Sequence, residues 1–146
     1  MSILSRMMDC FWEQTGYTFS WKDRDIFSIG MDPLVYPVFG ELRNACISLI
    51  NTPLSEEESD AFLFCMALDA EDERILDACK EQANTEFLHL LLSKGVSFVQ
   101  SDTRWQMAEL LRKDVPDRQY FLQTLLSDSH PYVRKRASNI VVRTEA

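Results

Sequence analysis

Glycine, histidine and long apolar runs are scarce in this chain of 146 residues. Four glycines are too few for the many tight turns of a β-sandwich or β-barrel, so we expect an all-α fold. No apolar run approaches the roughly 20 residues that a membrane-spanning helix needs, and we expect no membrane partner. Lysine and arginine total 15 against 23 aspartates and glutamates, a net charge of -8 that argues against direct binding of nucleic acid.

The sequence also lacks the motifs of nucleotide and metal chemistry. It contains neither G-x-x-x-x-G-K nor G-x-G-x-x-G, the two glycine-rich phosphate loops. His89 and His130 lie far apart, with no second histidine or cysteine at metal-ligand spacing. Cys65 and Cys79 have no nearby histidine that would mark a nucleophilic dyad. We therefore expect no catalytic residue, no cofactor and no metal, so that the protein is not an enzyme.

The four cysteines, at positions 10, 46, 65 and 79, each fall in an apolar helical pattern. A free thiol packs there as a small hydrophobic group, so we expect four buried thiols without disulfides. Such thiols are typical of a reducing compartment. Asp9 and Glu13 interrupt the first apolar stretch, whereas a secretory signal needs an uninterrupted one. We therefore expect a cytoplasmic protein.

The apolar spacing predicts a single helical domain over residues 1–146. Residues 3–12 carry one continuous apolar stripe, and Gly16 follows where a left-handed helix end is favoured. Tyr17, Phe19 and Trp21 predict a long connecting loop whose aromatic side chains pack on the core. Ser55 and Glu58 have the spacing of a capping box. Further helices are expected over 38–50, 56–68, 71–82, 86–93 (capped by Thr85), 103–113 (capped by Asp102), 117–127 and 132–141.

The end of the chain carries the most specific motif. A leucine-rich helix over 117–127 leads to a turn opened by Asp128, and Pro131 then stands at the first helical position, where its missing N–H costs nothing. This arrangement resembles a HEAT repeat over 117–143, and a weaker resemblance covers 87–111. The residues in register with the repeat are Leu125, Leu126, Asp128, Pro131, Val133, Arg134, Ala137 and Val141.

The HEAT resemblance implies a fold and a packing contact. The fold is a short right-handed α-solenoid of HEAT-like helix pairs, with an irregular N-terminal part as the cap that a repeat stack requires. In HEAT repeats an arginine stem packs beside a turn carboxylate, such as that of Asp128, in the neighbouring repeat. Solenoids present an extended surface to other proteins, so the resemblance favours a binding module.

The excess negative charge is confined to one segment. Residues 56–81 contain ten acidic residues against Arg74 and Lys80, while the rest of the chain is neutral. One interpretation is that acidic residues simply favour helix N-termini and solvated faces. The other is a continuous anionic ridge of stacked helix ends, which would attract a cationic partner. The candidate partner-binding residues are Glu56, Glu57, Glu58, Asp60, Asp69, Glu71, Asp72, Glu73 and Asp77.

Size, acidity and architecture together are similar to those of immunity proteins of bacterial toxin systems, including contact-dependent growth inhibition. Nothing in the sequence demands a dimer, and we expect a monomer that binds its toxin in a 1:1 complex. An inhibitor of a cationic nuclease is acidic by complementarity, so we expect a basic nuclease domain as partner. A basic cluster on the last helix would make the molecule electrically polar: Arg134, Lys135, Arg136 and Arg143.

Two other functions remain open from the sequence. The first is a helical-repeat adaptor or a chaperone for a secreted effector, which would hold a partner peptide in an apolar groove. The second is a HEAT-like DNA glycosylase, whose concave face carries a tryptophan and a catalytic aspartate, for which Trp105 and Asp102 are the candidates. Glycosylases of that type are larger and cationic, whereas this chain is short and acidic.

Overall fold

A computed structural model describes residues 2–26 and 31–145. Within these ranges the chain forms eight α-helices, one short 3₁₀ turn at Pro33–Val35, and no strand. The all-α prediction is therefore confirmed. The helices are α1 (Ile3–Thr15), α2 (Val38–Ser48), α3 (Glu56–Leu68), α4 (Arg74–Gln82), α5 (Thr85–Gly95), α6 (Ser101–Glu109), α7 (Arg118–Leu126) and α8 (Pro131–Glu145).

Several helix ends follow the local sequence closely. Gly16 ends α1 in the left-handed conformation, with φ 71°. The Ser55 hydroxyl accepts from the Glu58 backbone N–H, and the Glu58 carboxylate accepts from the Ser55 N–H, which completes the capping box. Pro131 begins α8. The carboxylate of Asp128 accepts from the His130 N–H at 2.8 Å and so satisfies a donor at the start of that helix.

Other predicted helix ends are wrong by a few residues. The N-cap of α5 is Asn84 and not Thr85, because the Asn84 side chain accepts from the Phe87 N–H. Asp102 lies inside α6, which begins at Ser101. The fourth helix begins at Arg74 and not at residue 71, since Glu73 takes a left-handed conformation, with φ 54°. The ends of α6 and α8 also differ, at Glu109 and Glu145.

Helix α3 lies in the middle of the core. Every residue from Ala61 to Leu68 is buried, so this helix has no solvated face along its body. It packs against α1 and α2 of the N-terminal part and against α5 and α6 on the C-terminal side. A helix that is apolar all round is expected in such a central position.

Polar side chains of α6 bind the backbone of α3 inside the core. The Thr103 hydroxyl donates to the Leu63 carbonyl at 2.7 Å, and the Gln106 amide donates to the Met66 carbonyl at the same distance. Both side chains are fully buried. A buried polar group is tolerated when it is hydrogen-bonded, so these contacts orient α6 on α3. Gly95, the last residue of α5, leaves room for Met107 of α6, because a Cβ there would overlap the Met107 sulfur.

The loop between α1 and α2 packs on the core as its aromatic residues predict. Trp21 stacks on Phe64 of α3 with ring centroids 4.6 Å apart. The side chain of Gln100 accepts from the Ile26 N–H at 2.8 Å and donates to the Trp21 carbonyl at 2.7 Å. These buried bonds fix the described part of the loop to the start of α6.

The helices pack in chain order. Counting α1–α2, α3–α4, α5–α6 and α7–α8 as consecutive pairs, all the extensive helix–helix contacts among the described residues lie within a pair or between adjacent pairs. Within the described ranges, helices α3 and α4 make no extensive contact with each other and pack instead on the adjacent pairs. Helix α6 has the most helix partners among the described residues, since it contacts α3, α4, α5, α7 and α8.

The cysteines are divided between core and surface. Cys46, Cys65 and Cys79 are buried and free, as expected. The prediction for Cys10 is wrong, because this thiol lies on the exposed side of α1. Burial raises the pKa of Cys79 to about 12, so its thiol stays protonated at neutral pH.

One ion pair connects α2 to the turn after α3. The Arg43 guanidinium contacts Asp69 at 2.7 Å and Asp72 at 2.8 Å. The second oxygen of Asp69 accepts from the Ile75 N–H at the start of α4. The Asp69 side chain is 1% exposed, whereas that of Asp72 is 42% exposed. Asp69 therefore holds three segments together from inside the fold.

Replacing Asp69 with asparagine tests this role. We expect Asp69→Asn to lower the free energy of unfolding by about 3 kcal/mol, because it leaves a buried guanidinium partly unpaired. Asp72→Asn removes an exposed partner of the same arginine, and we expect a loss below about 1 kcal/mol. Urea unfolding of the two variants measures the difference. Equal losses would contradict the role assigned to Asp69.

Candidate protein-binding surface

Six acidic residues of the 56–81 segment lie in two groups, one at each end of α3. The start patch consists of Glu56, Glu57 and Glu58 at the first turn of α3, and the turn patch consists of Glu71, Asp72 and Glu73 after its end. At 1.5 Å per residue, the thirteen residues of α3 separate them by about 20 Å. This exceeds the screening length of about 8 Å at physiological salt, so the patches act separately. Asp77 and Glu81 are also exposed along α4, and the continuous ridge stays a prediction.

The start patch is partly engaged within the fold. The Glu58 carboxylate is occupied by the capping box, and Asp60 pairs with Lys94 of α5 at 2.7 Å. Glu56 and Glu57 are exposed. These two side chains are therefore the members of this group best placed to meet a partner.

The turn patch is tied to the core through Arg43. Asp69 is buried and takes no part in the surface, which removes it from the candidate partner-binding residues. Asp72 shares its charge with Arg43. Glu71 is exposed beside them, and Asp77 is exposed on the first turn of α4.

Each end of α3 adjoins a cavity that sequence reasoning missed. At the start of α3 a cavity of about 260 Å³ is lined by Leu54, Phe87 and Leu90. At the other end a cavity of about 120 Å³ includes Leu34 and Asp102 in its lining. The sequence carries only a weak signal for the cavity at the start of α3, because its lining residues come from separate segments of the chain. Their partial burial becomes visible only in the folded protein.

Asp102 and Trp105, the pair considered for glycosylase chemistry, contact each other. The Trp105 indole N–H donates to the Asp102 carboxylate at 3.0 Å. Burial raises the pKa of Asp102, and the hydrogen bond from Trp105 opposes this effect. The Trp105 ring is buried, with the Arg136 guanidinium 4.4 Å from its centre and Tyr132 packed edge-on. In this arrangement the indole is covered and is not presented for stacking with a substrate base.

The basic residues of α8 are largely paired with other groups of the fold. Glu109 of α6, whose side chain is 7% exposed, accepts hydrogen bonds from both Arg136 and Arg143. The Arg134 guanidinium donates to the Asp128 carbonyl at 2.7 Å. Of the predicted basic cluster, Arg136 and Arg143 thus serve mainly to hold α8 on α6. The expected electrical polarity of the molecule is reduced accordingly.

The remaining titratable residues give no sign of a metal centre. No group of three or more histidine, cysteine, aspartate or glutamate side chains in the described ranges has a geometry that would hold a metal ion. The His89 ring contacts the exposed Asp117 carboxylate at 2.9 Å. None of the described helices combines the length and the apolar character that are needed to cross a membrane.

Comparison of the chain with protein-family models, with curated proteins and with solved structures finds no match. The resemblance to HEAT repeats therefore depends on the residues and contacts of this chain alone.

The Glu109 contact predicts a pH-dependent stability. Burial by itself would raise the pKa of Glu109, but the hydrogen bonds from Arg136 and Arg143 outweigh it and lower the pKa. Because the pKa of Glu109 is lower in the folded state, the ionised carboxylate stabilises the fold. This stabilisation is fully present above the unfolded-state pKa of about 4.3 and is lost as the pH falls through the folded-state pKa. We expect Glu109→Gln to cost about 2 kcal/mol at neutral pH.

Urea unfolding at several pH values tests this expectation. The gap between wild type and Glu109→Gln should close as the pH falls below about 4. Glu41→Gln, at an exposed glutamate on the first turn of α2, is the control and should show a much smaller gap. A gap for Glu109→Gln that persists unchanged in acid would contradict the assignment.

Proposed function

We propose that this chain is a non-catalytic protein-binding module of the immunity type, which neutralises a cationic toxin, a nuclease domain, in the cytoplasm. It binds as a monomer in a 1:1 complex and blocks the toxin's active site. The observation that carries the proposal is the confinement of the whole excess negative charge to residues 56–81, with exposed carboxylates at both ends of α3. The proposal includes a short HEAT-like solenoid as the scaffold.

Two ion pairs support the HEAT-like scaffold. Arg43 of α2 reaches Asp69 in the turn of the next pair, and Arg104 of α6 reaches Asp128 in the turn of the pair after it at 2.8 Å. Both carboxylates also accept a backbone N–H at or near the start of the following helix. The same type of contact thus occurs twice between consecutive pairs, which is what the HEAT resemblance leads one to expect. The chain-order packing of the pairs agrees with a repeat stack.

Charge complementarity supports a cationic partner. A nuclease needs arginine or lysine side chains to hold substrate phosphates. Exposed carboxylates such as those of Glu56 and Glu57 would occupy the positions of those phosphates and keep the substrate out. Opposite charge also speeds the encounter of the two proteins, and this matters for an inhibitor that must act before the toxin does.

One observation favours a second function. The cavity lined by Leu54, Phe87 and Leu90 is largely apolar, which suits an adaptor or an effector chaperone that holds a partner peptide. That function predicts binding with weak salt dependence, because burial of apolar surface is little affected by screening. The proposed immunity function predicts binding with a strong salt dependence.

Association kinetics test the proposed function. The protein encoded by the adjacent open reading frame, produced with this chain, is the partner to measure, since a toxin gene lies beside its immunity gene. We expect a basic, growth-inhibiting partner whose association rate falls more than tenfold between low and high salt. An acidic partner, the absence of a complex, or a rate that is insensitive to salt would contradict the proposal.

Charge-neutralised variants show which acidic patch speeds association with the partner. Glu56→Gln with Glu57→Gln, and Glu71→Gln with Glu73→Gln, each remove two charges from one patch. Glu13→Gln with Glu41→Gln removes two exposed charges elsewhere and is the matched control. At low salt we expect at least one patch variant to associate several-fold more slowly than the control. If all three variants associate equally fast, the acidic patches are solvated surface only.

A further inference from the structure

The cavity at the start of α3 has the size of a pocket for one side chain. Its volume of about 260 Å³ lies below the roughly 300–1,000 Å³ of small-molecule sites. Leu54, Phe87 and Leu90 provide its apolar lining. Apolar pockets of this kind receive the anchor side chains that contribute most of the binding energy in protein interfaces.

Hydrogen bonds hold this cavity open in the free protein. Asn51, in a left-handed conformation after α2, donates from its side chain to the Gln82 carbonyl and accepts from the Asn84 N–H, both at 2.8 Å. The connection between α2 and α3 is thereby fixed to the connection between α4 and α5. Both connections contribute to the cavity wall. A pocket that exists before binding avoids the cost of ordering it.

Carboxylates surround this apolar pocket. Glu86 forms part of the lining and is exposed. The start of α3 lies alongside, because Leu54 lines the cavity and Lys94, one turn after Leu90, donates to the Glu56 carbonyl. The charge of Lys94 is offset by Asp60. Glu86 is thus the charged residue of the lining, and the exposed Glu56 and Glu57 begin the helix that follows Leu54.

We infer that this cavity receives an apolar side chain of the partner protein that is flanked by lysine or arginine residues. The apolar side chain fills the space between Leu54, Phe87 and Leu90, while the flanking cations meet Glu56, Glu57 and Glu86. The inference rests on the proposed function and adds the docking point to it. It assigns binding to the start of α3 and not to the turn patch.

A designed peptide tests the site directly. The probe is the short peptide Lys-Arg-Leu-Phe-Arg-Lys, titrated into the full chain labelled with ¹⁵N. We expect amide shifts around Leu54, Phe87 and Leu90. One control peptide has glutamate in place of the basic residues, and another has alanine in place of leucine and phenylalanine. Each control peptide should bind at least about tenfold more weakly than the basic peptide. This is the fold-change expected when an apolar side chain or the complementary charge is lost.

Matched protein variants distinguish a change in the pocket from a loss of folded structure. Leu90→Glu should weaken peptide binding about tenfold or more. Leu126→Glu changes an equally half-buried leucine on α7 and should leave binding within twofold. Glu86→Lys should weaken binding several-fold, whereas Glu41→Lys, also exposed on a first helical turn, should not. Circular dichroism of each variant shows that the helices are retained.

The outcomes for the pocket and for the proposed function are distinguishable. No peptide binding, shifts confined to the turn patch, or equal binding of all three peptides would overturn the inference. If a basic toxin binds the wild type and the Leu90→Glu variant equally, the inference is wrong while the proposed function stands. If the peptide binds as expected but no basic protein does, the pocket is a peptide site and the proposed function is wrong.

Discussion

Burial of α3 is the constraint on which the rest of the structure depends. Because residues 61–68 are enclosed by four other helices, the body of α3 carries no charge. Thr103 and Gln106 of α6 donate to two of its backbone oxygens. The charged residues of α3 are therefore confined to residues 56–60. The other acidic residues of the segment lie in the turn after α3 and on α4.

The two ends of α3 differ in how much of their charge is available. At the later end Arg43 draws Asp69 inside and shares Asp72, so much of the negative charge holds the fold together. At the earlier end Glu56 and Glu57 are exposed, and the cavity lined by Leu54, Phe87 and Leu90 lies close by. Charge that is already paired contributes little to attracting a partner. The start of α3 is for this reason the stronger candidate for the binding surface.

Local signals in the sequence predicted much of the fold but only part of the candidate site. Gly16, the Ser55–Glu58 capping box and the turn from Asp128 to Pro131 act within a few residues, so their geometry follows from spacing. Asp69 meets Arg43 26 residues away, and no local signal marks that pairing. The cavity was missed for the same reason, since Leu54 and Leu90 meet only after α3, α4 and α5 have packed.

Hydrogen exchange on the complex tests the central claim, that a cationic protein binds at the start of α3. The protein is measured alone and with the basic protein encoded by the adjacent reading frame, and the two exchange patterns are compared. The account predicts that binding slows exchange in residues 51–58 and 84–94 and leaves residues 70–77 unchanged. Slower exchange confined to residues 131–145, or to the turn after α3, would contradict it.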